Sequence, residues 1–229
     1  MHGQLTMRGQ PTNPPTMRAG DTQALFAALL ATLPSSALPA SDSGSCDENG
    51  LSALVNRYPP TTVDFSAVSR TGLKYEWTIS DQTHGNGQYI VEASSVYNAG
   101  GLWHASYAFD HNPTDADLGT TWHKATNTDD PHWLMIELPE AMKLRYYTLS
   151  NRKCCGAQFP QKWELTCVDD PGAPVTLDTR SGQVLGDNQC RIYPSQASGS
   201  ASLCKKLKIT MEGFSSVREW ALYADTAGA

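Results

Sequence analysis

The stretch Lys162-Trp163-Glu164-Leu165-Thr166-Cys167-Val168 sets Trp163, Leu165 and Cys167 on one side of an extended chain and Lys162, Glu164 and Thr166 on the other. Side chains alternate across a strand with a period of two, so this is the pattern of a strand with one buried face. Residues 206–211 repeat it with Leu207, Ile209 and Met211, and residues 73–79 with Leu73, Tyr75, Trp77 and Ile79. Residues 133–138 form a compact apolar run ended by Pro139. Residues 63–68, 89–93, 144–149, 175–177 and 219–224 read as further short strands. Gly, Pro, Asn and Asp punctuate them. This pattern predicts an all-β fold, an antiparallel β-sandwich.

Composition narrows the function classes. Of the 229 residues, 40% are hydrophobic, enough for a sizeable core, and only 17% are charged. The net charge of −6 argues against a nucleic-acid footprint and against attraction to an anionic membrane. No apolar run approaches the roughly 20 residues of a membrane span.

The chain divides into three parts. Residues 1–50 read as an N-terminal arm, a short helix and a linker. Asp21 is an N-cap, Leu25, Phe26, Leu29, Leu30 and Leu33 follow at helical spacing, and Pro34 stops the helix. So short a helix is marginal alone in water, so its apolar stripe docks either on its own domain or on another subunit. Residues 24–33 loosely imitate a secretory signal, but the long Pro- and Gly-rich lead and Asp21 at the edge of the run predict that the segment is retained. Residues 51–85 are transitional, with a short helix over 51–55 and strands over 63–68 and 73–79. Residues 86–226 are the sandwich proper.

Catalytic signatures are missing. There is no Gly-x-Ser-x-Gly, no His-Glu-x-x-His and no phosphate loop. Glu137, Glu164 and Glu219 fall in strands without forming a poised pair for glycoside hydrolysis. The expectation is a protein that is not an enzyme. The six cysteines are Cys46, Cys154, Cys155, Cys167, Cys190 and Cys204. An even count suits two or three disulfides in an oxidising space, with fifteen pairings possible. Cys190 and Cys204 flank one Ser/Gly-rich segment as candidate partners, and Cys46 in the linker is a candidate for a bridge to another chain. The open alternative is that all six are thiols inside a cell. No Cys-x-x-Cys exists, which argues against a zinc site.

Several spaced motifs together resemble the discoidin family, the coagulation-factor C-type domain also seen as a carbohydrate-binding module. They are Ala93-Ser-Ser-Val-Tyr97, Trp103-His-Ala-Ser-Tyr-Ala-Phe-Asp110, Thr121-Trp122, Pro131-His-Trp-Leu-Met-Ile-Glu-Leu138 and the closing Arg218-Glu-Trp-Ala-Leu-Tyr223. The resemblance spans about residues 86–225. It implies a galactose-binding-like jelly roll with ligands held by loops at one end. Asn151-Arg-Lys-Cys-Cys-Gly156 further resembles the sugar site of the fucolectins, where an Arg precedes two adjacent cysteines whose vicinal disulfide packs on fucose. By that resemblance Asn151, Arg152, Cys154 and Cys155 are site residues. Arg offers fork-shaped donors to sugar oxygens. Lys153 stands where the family has an acid, and Ala157-Gln158 where it has a second basic residue unless Lys162 serves. The resemblance therefore implies a sugar site and leaves the sugar open. His123 is the nearest equivalent of the family's histidine, and His132 the next.

The same family implies structural Ca²⁺ in the turn after Ala-Phe-Asp, completed by an acid of the last strand. Asp110, Asp115, Asp117, Thr120 and Glu219 are the ligands this implies, and hard cations take such oxygen sets. Trp103, His104 and Phe159 are aromatic or imidazole residues placed at the ligand end, suited to stacking on the C–H face of a sugar. The function expected is a lectin-like domain on a structural subunit. It would face the surface of a virus particle or the extracellular space and bind cell-surface glycans. Residues 1–50 would join other structural subunits, and a homo-oligomer would supply avidity. The competing expectation is a discoidin-like protein-binding subunit, intracellular (for example ciliary) or extracellular, that binds no sugar.

Overall fold

The computed structural model describes residue 46 and residues 55–98, 103–111, 121–125, 131–169, 173–196, 203–213 and 215–225. The expected arm, helix and linker, and residues 51–54, lie outside them. The elements in chain order begin with β1 (Val55–Tyr58), a 3-10 turn η1 (Phe65–Ala67), β2 (Ser69–Thr71), β3 (Lys74–Ile79), β4 (Gly87–Ala93) and a second 3-10 turn η2 (Ala105–Phe109). Then come β5 (Trp122–His123), β6 (His132–Met142), β7 (Leu144–Ser150), a third turn η3 (Gly156–Gln158) and β8 (Lys162–Cys167). The last are β9 (Val175–Arg180), β10 (Cys190–Pro194), β11 (Cys204–Glu212), β12 (Ser216–Val217) and β13 (Glu219–Asp225).

The strands form an antiparallel β-sandwich. One sheet has the order β1-β13-β7-β10 and the other β2-β3-β4-β6-β11-β8-β9, while β12 and β5 make a small ribbon. The alternating sequences set the inner faces. Trp163 and Leu165 of β8, Leu134 and Ile136 of β6, and Leu207 and Ile209 of β11 are buried on one side, with Tyr147, Leu149, Trp220 and Leu222 in the same core. Alternation works here because a one-residue slip would turn every apolar side chain to water. β1 pairs with β13 and β3 with β4, so residues 55–79 contribute strands to both sheets.

Three local readings change. Val55 starts a strand instead of ending a helix. Residues 63–68, expected to be extended, fold into η1 because the Asp64 carboxylate accepts from the Ser66 N–H at 2.9 Å and from its hydroxyl at 2.7 Å. Such local side-chain bonds compete with strand ladders. And β6 runs past Pro139. Its register with β4 ends at Glu137, and its register with β11 jumps from Glu137 to Met142, so the missing proline N–H interrupts no ladder. Gly87, at φ +126°, faces that proline, where a Cβ would come within 2.7 Å of the Pro139 ring.

The cysteines pair as Cys46–Cys190 and Cys167–Cys204. Neither proposed arrangement, Cys190 with Cys204 or Cys46 with another chain, is formed. Cys167 and Cys204 lie at facing ends of the neighbouring strands β8 and β11, and Cys46 closes a 144-residue loop onto β10. Cys154 and Cys155 are exposed thiols. Thiol counting on the denatured, unreduced chain is expected to give two while Cys154 and Cys155 stay reduced, and none once they form a vicinal bridge. Reducing the two bridges should cost roughly 2–4 kcal/mol each, read as a lowered thermal midpoint.

Candidate functional site

The connections leaving β4, β5 and β7 converge on one cluster. Tyr97 follows β4, Trp103 precedes η2, His123 ends β5, and Arg152 follows β7. The Arg152 guanidinium lies over the Trp103 ring, 4.8 Å from its centroid. Its Nη1 donates to Gln158 Oε1 at 2.7 Å and its Nη2 to Cys154 Sγ at 3.5 Å. The His123 ring meets Trp103 edge-on at 5.4 Å and Tyr97 at 5.2 Å, and Tyr97 meets Trp103 edge-on at 6.0 Å. Arg152 and His123 are buried, whereas Tyr97 is 40% exposed and forms an outer wall.

The cluster is held in one protonation pattern. His123 Nδ1 lies 2.6 Å from the Lys124 carbonyl, which only accepts, so Nδ1 carries the proton. Gln158 hydrogen-bonds the imidazole as well as the guanidinium. Burial pushes the imidazole below its ordinary value of 6.5, and the Arg152 charge lowers it further against the opposing pull of the Lys124 carbonyl. A depressed folded-state value means the neutral ring contributes stability in full above pH 6.5. That contribution falls as pH drops below 6.5 and is gone below the lowered folded value. The Tyr97–Trp103 cluster is expected to loosen over that acidic window, seen as a change in Trp fluorescence that His123→Gln removes.

A second set of bonds fixes the loop carrying Arg152. Asn151, fully buried, donates to the Leu185 carbonyl at 3.0 Å and the Gly186 carbonyl at 3.2 Å and accepts from the Arg152 N–H at 2.8 Å. The Asn188 N–H donates to the Arg152 carbonyl at 2.6 Å, and Arg218 Nη1 donates to Asn188 Oδ1 at 2.7 Å. The Gly156 N–H donates to Asp187 Oδ1, and a Cβ on Gly156 would lie 2.8 Å from that oxygen. Asn151 is thus a fastener of the loop. Cys155 sits in the left-handed region at φ +70°, an uncommon place for a side-chain-bearing residue. Its thiol is pushed up, chiefly by the hydrogen bond with Cys154.

The remaining expected site residues go elsewhere. Phe159 is not at the ligand end of the cluster. It is 2% exposed and packs edge-on against Trp163 at 6.0 Å in the core. His104, next to Trp103, turns to a different group of rings, stacking on Tyr107 at 5.4 Å. His132 is buried against Lys124 Nζ. Of the expected calcium ligands, Asp110 is buried at the end of η2, and Glu219 at the start of β13 accepts from Arg57 Nη2 at 2.6 Å. Asp115, Asp117 and Thr120 lie outside the described residues. Among the described residues, Cys167, Asp169 and Cys204 also lie close together. There the sulfurs are bonded to each other, and Asp169 accepts from the Lys205 and Lys206 N–H groups at 2.7 and 2.5 Å, which makes it a cap on the end of β11. Tyr97 and Gln158 are the members of the cluster that motif reading alone did not assign. Tyr97 closes the Ala93–Tyr97 motif, and Gln158 occupies the position of the family's second basic residue.

The antiparallel sandwich, with an aromatic and guanidinium cluster on its connecting loops, has the discoidin-like fold. Residues 90–184 match the model of the F5/8 type C domain. Among solved structures it is similar to CpGH89CBM32-5 from Clostridium perfringens in complex with GalNAc-β-1,3-galactose, at 19% identity and a TM-score of 0.50, covering 59% of this chain and 95% of that one. It is also similar to an F5/8 type C domain from Bacteroides fragilis, at 14% identity and a TM-score of 0.50, covering 66% of this chain and 97% of that one. No curated protein matches the chain significantly.

Proposed function

We propose that the sandwich is a non-catalytic, lectin-like domain whose site is the cluster of Tyr97, Trp103, His123, Arg152, Cys154, Cys155 and Gln158. The observation that carries this reading is the guanidinium of Arg152 held over the indole of Trp103 beside a neutral imidazole. It sets guanidinium donors for hydroxyls beside the 40% exposed Tyr97 ring, which offers an apolar surface for sugar C–H groups. Galactose-related glycan binding by the Clostridium relative adds to it. Cys154 and Cys155, oxidised to a vicinal bridge, would present sulfur to the same sugar face. The two internal disulfides suit an oxidising compartment, which favours this reading over an intracellular protein-binding subunit.

The finer reading is a subunit displayed on a virus particle or in the extracellular space, with residues 1–50 joining other subunits. It rests on the apolar stripe after Asp21. Structural Ca²⁺ held by Asp110 and Glu219 is part of the proposal, and it would have to displace Arg57, whose Nη2 already donates to Glu219 Oε1 at 2.6 Å. If it binds, millimolar calcium raises the thermal midpoint and Glu219→Gln abolishes the rise. An unchanged midpoint removes calcium from the account. The test of the function is a glycan array on the full chain in calcium, in EDTA and after mild reduction. Binding to fucosylated or galactosylated glycans supports the reading, and no binding in any condition overturns it.

A further inference from the structure

Arg57 and Arg180 are buried arginines, and each lies against a carboxylate. Arg57 Nη2 is 2.6 Å from Glu219 Oε1, and Arg180 Nε is 2.8 Å from Asp178 Oδ2. Arg152, 7% exposed, is equally buried, and no carboxylate among the described residues pairs with it. Its acceptors are the amide oxygen of Gln158 and the sulfur of Cys154, both neutral. They occupy two of the five guanidinium N–H groups, and the other three have no acceptor among the described residues. A charge taken out of water is costly unless an opposite charge or a full set of hydrogen bonds compensates it. The neighbouring imidazole reports the same imbalance. Burial, then the Arg152 and Lys124 charges, hold His123 below its ordinary value, and no described carboxylate pulls the other way. Asp187, the acid beside this loop, is engaged with the Gly156 N–H. Lys153, the residue after Arg152, is exposed and forms no ion pair with a described residue.

Resting on the proposed function, we infer that the Arg152 cluster takes an acidic glycan, whose bound sugar carries a carboxylate or sulfate that meets the Arg152 guanidinium. The planar fork of a guanidinium matches either group with paired N–H donors, and such charge-assisted bonds are roughly twice as strong as neutral ones. A hydroxyl would use the same donors and leave the buried charge uncompensated. The net charge of −6 belongs to the whole chain, and salt screens exposed charges beyond about 8 Å, so the contact pair is governed by its own neighbours. Lys153 adds a positive charge one residue along, about 3.8 Å away at Cα. The exposed Tyr97 ring still offers its face to C–H groups, which makes the ligand an acidic sugar and not a bare anion.

The test is calorimetry on the full chain with paired probes. Methyl β-D-galactoside is set against methyl β-D-galacturonide and 3-O-sulfated methyl β-D-galactoside, and lactose against 3′-sialyllactose. At least one acidic probe should bind about tenfold more tightly than its neutral counterpart, a difference of about 1.4 kcal/mol. A lead for the carboxylates makes the source a uronic or sialic acid, and a lead for the sulfate makes it a sulfated glycan. Either supports the inference. Arg152→Gln should erase the preference. Lys153→Glu should cut it about threefold and leave neutral-probe affinity within about twofold. Lying on an exposed position, Lys153→Glu keeps the test valid if Arg152→Gln disturbs folding. Equal or weaker binding of the acidic probes overturns the inference alone, and so does a preference that survives every folded variant. If no probe binds the wild type, the inference and the proposed function both fall.

Discussion

Arg152→Ala should lower glycan affinity at least about tenfold while shifting the thermal midpoint by only a few degrees. The guanidinium does three jobs at once: it covers the Trp103 face, anchors Gln158 at 2.7 Å and reaches Cys154 at 3.5 Å. Its removal takes away charge-assisted donors, worth roughly 1.5–3 kcal/mol where they bond a ligand, and unseats the neighbouring glutamine. Arg152→Lys should recover only a small part, because an ammonium has no planar fork to lie on the indole. Isothermal titration with the best array glycan measures the affinity, and a parallel melting curve separates it from stability. Affinity within threefold of wild type would remove Arg152 from the site. The loop itself should survive the change. Its fastening is by Asn151 to the Leu185 and Gly186 carbonyls and by the Arg152 backbone to Asn188, none of which needs the guanidinium.

The largest expected loss of stability lies away from the site, at Asp178. Trp163 Nε1 donates to the Tyr147 hydroxyl at 2.8 Å, that hydroxyl donates to Asp178 Oδ2 at 2.6 Å, and Arg180 Nε donates to the same oxygen at 2.8 Å. Asp178 is 1% exposed. Arg180 also lies 5.5 Å from the Tyr193 ring, and burial pushes the Tyr193 hydroxyl up to about 12. Removing the carboxylate leaves the Tyr147 hydroxyl without the acceptor it donates to and the Arg180 guanidinium without its counter-charge, with its Nη2 still on the Pro194 carbonyl at 2.9 Å. Breaking a buried pair from one side costs about 3–5 kcal/mol. For a domain of this size that is roughly 6–20 °C in thermal midpoint. Asp178→Asn keeps an acceptor oxygen and should cost less. In the double variant Asp178→Ala with Arg180→Ala the losses should add to less than their sum, because the two residues share one interaction. A midpoint for Asp178→Ala within 2 °C of wild type would show that the chain of bonds carries no net stability.

Strands that bury one face were legible as alternation, and β3, β8 and β11 fall where the pattern put them. β10 was not read, because Cys-Arg-Ile-Tyr-Pro shows no clean period of two. Its buried Ile192 and Tyr193 are consecutive, and its strand character comes from pairing with β7. β1 likewise exists through β13. At the candidate site, the motif around Arg152 marked the right loop, but which side chains meet there is a tertiary matter. Phe159 and Trp103 look alike as loop aromatics in the sequence. One closes the core over Trp163 and the other underlies the guanidinium. Gln158 read as a departure from a pattern, and its role shows only when Arg152 and His123 are placed on either side of it. The disulfide partners were equally hidden, since spacing along the chain says nothing about which strand ends face each other.

The most direct test of the glycan-binding claim is an NMR titration of the full chain, ¹⁵N-labelled, with the tightest glycan from the array. Chemical-shift changes should be greatest for the Trp103 indole N–H, the Arg152 Nε–H, the Gln158 amide group and the backbone N–H of Tyr97, with the Trp163 and Trp220 indoles unmoved in the core. Saturable binding whose shifts fall on another face of the sandwich, or no shift at millimolar glycan, would contradict the account.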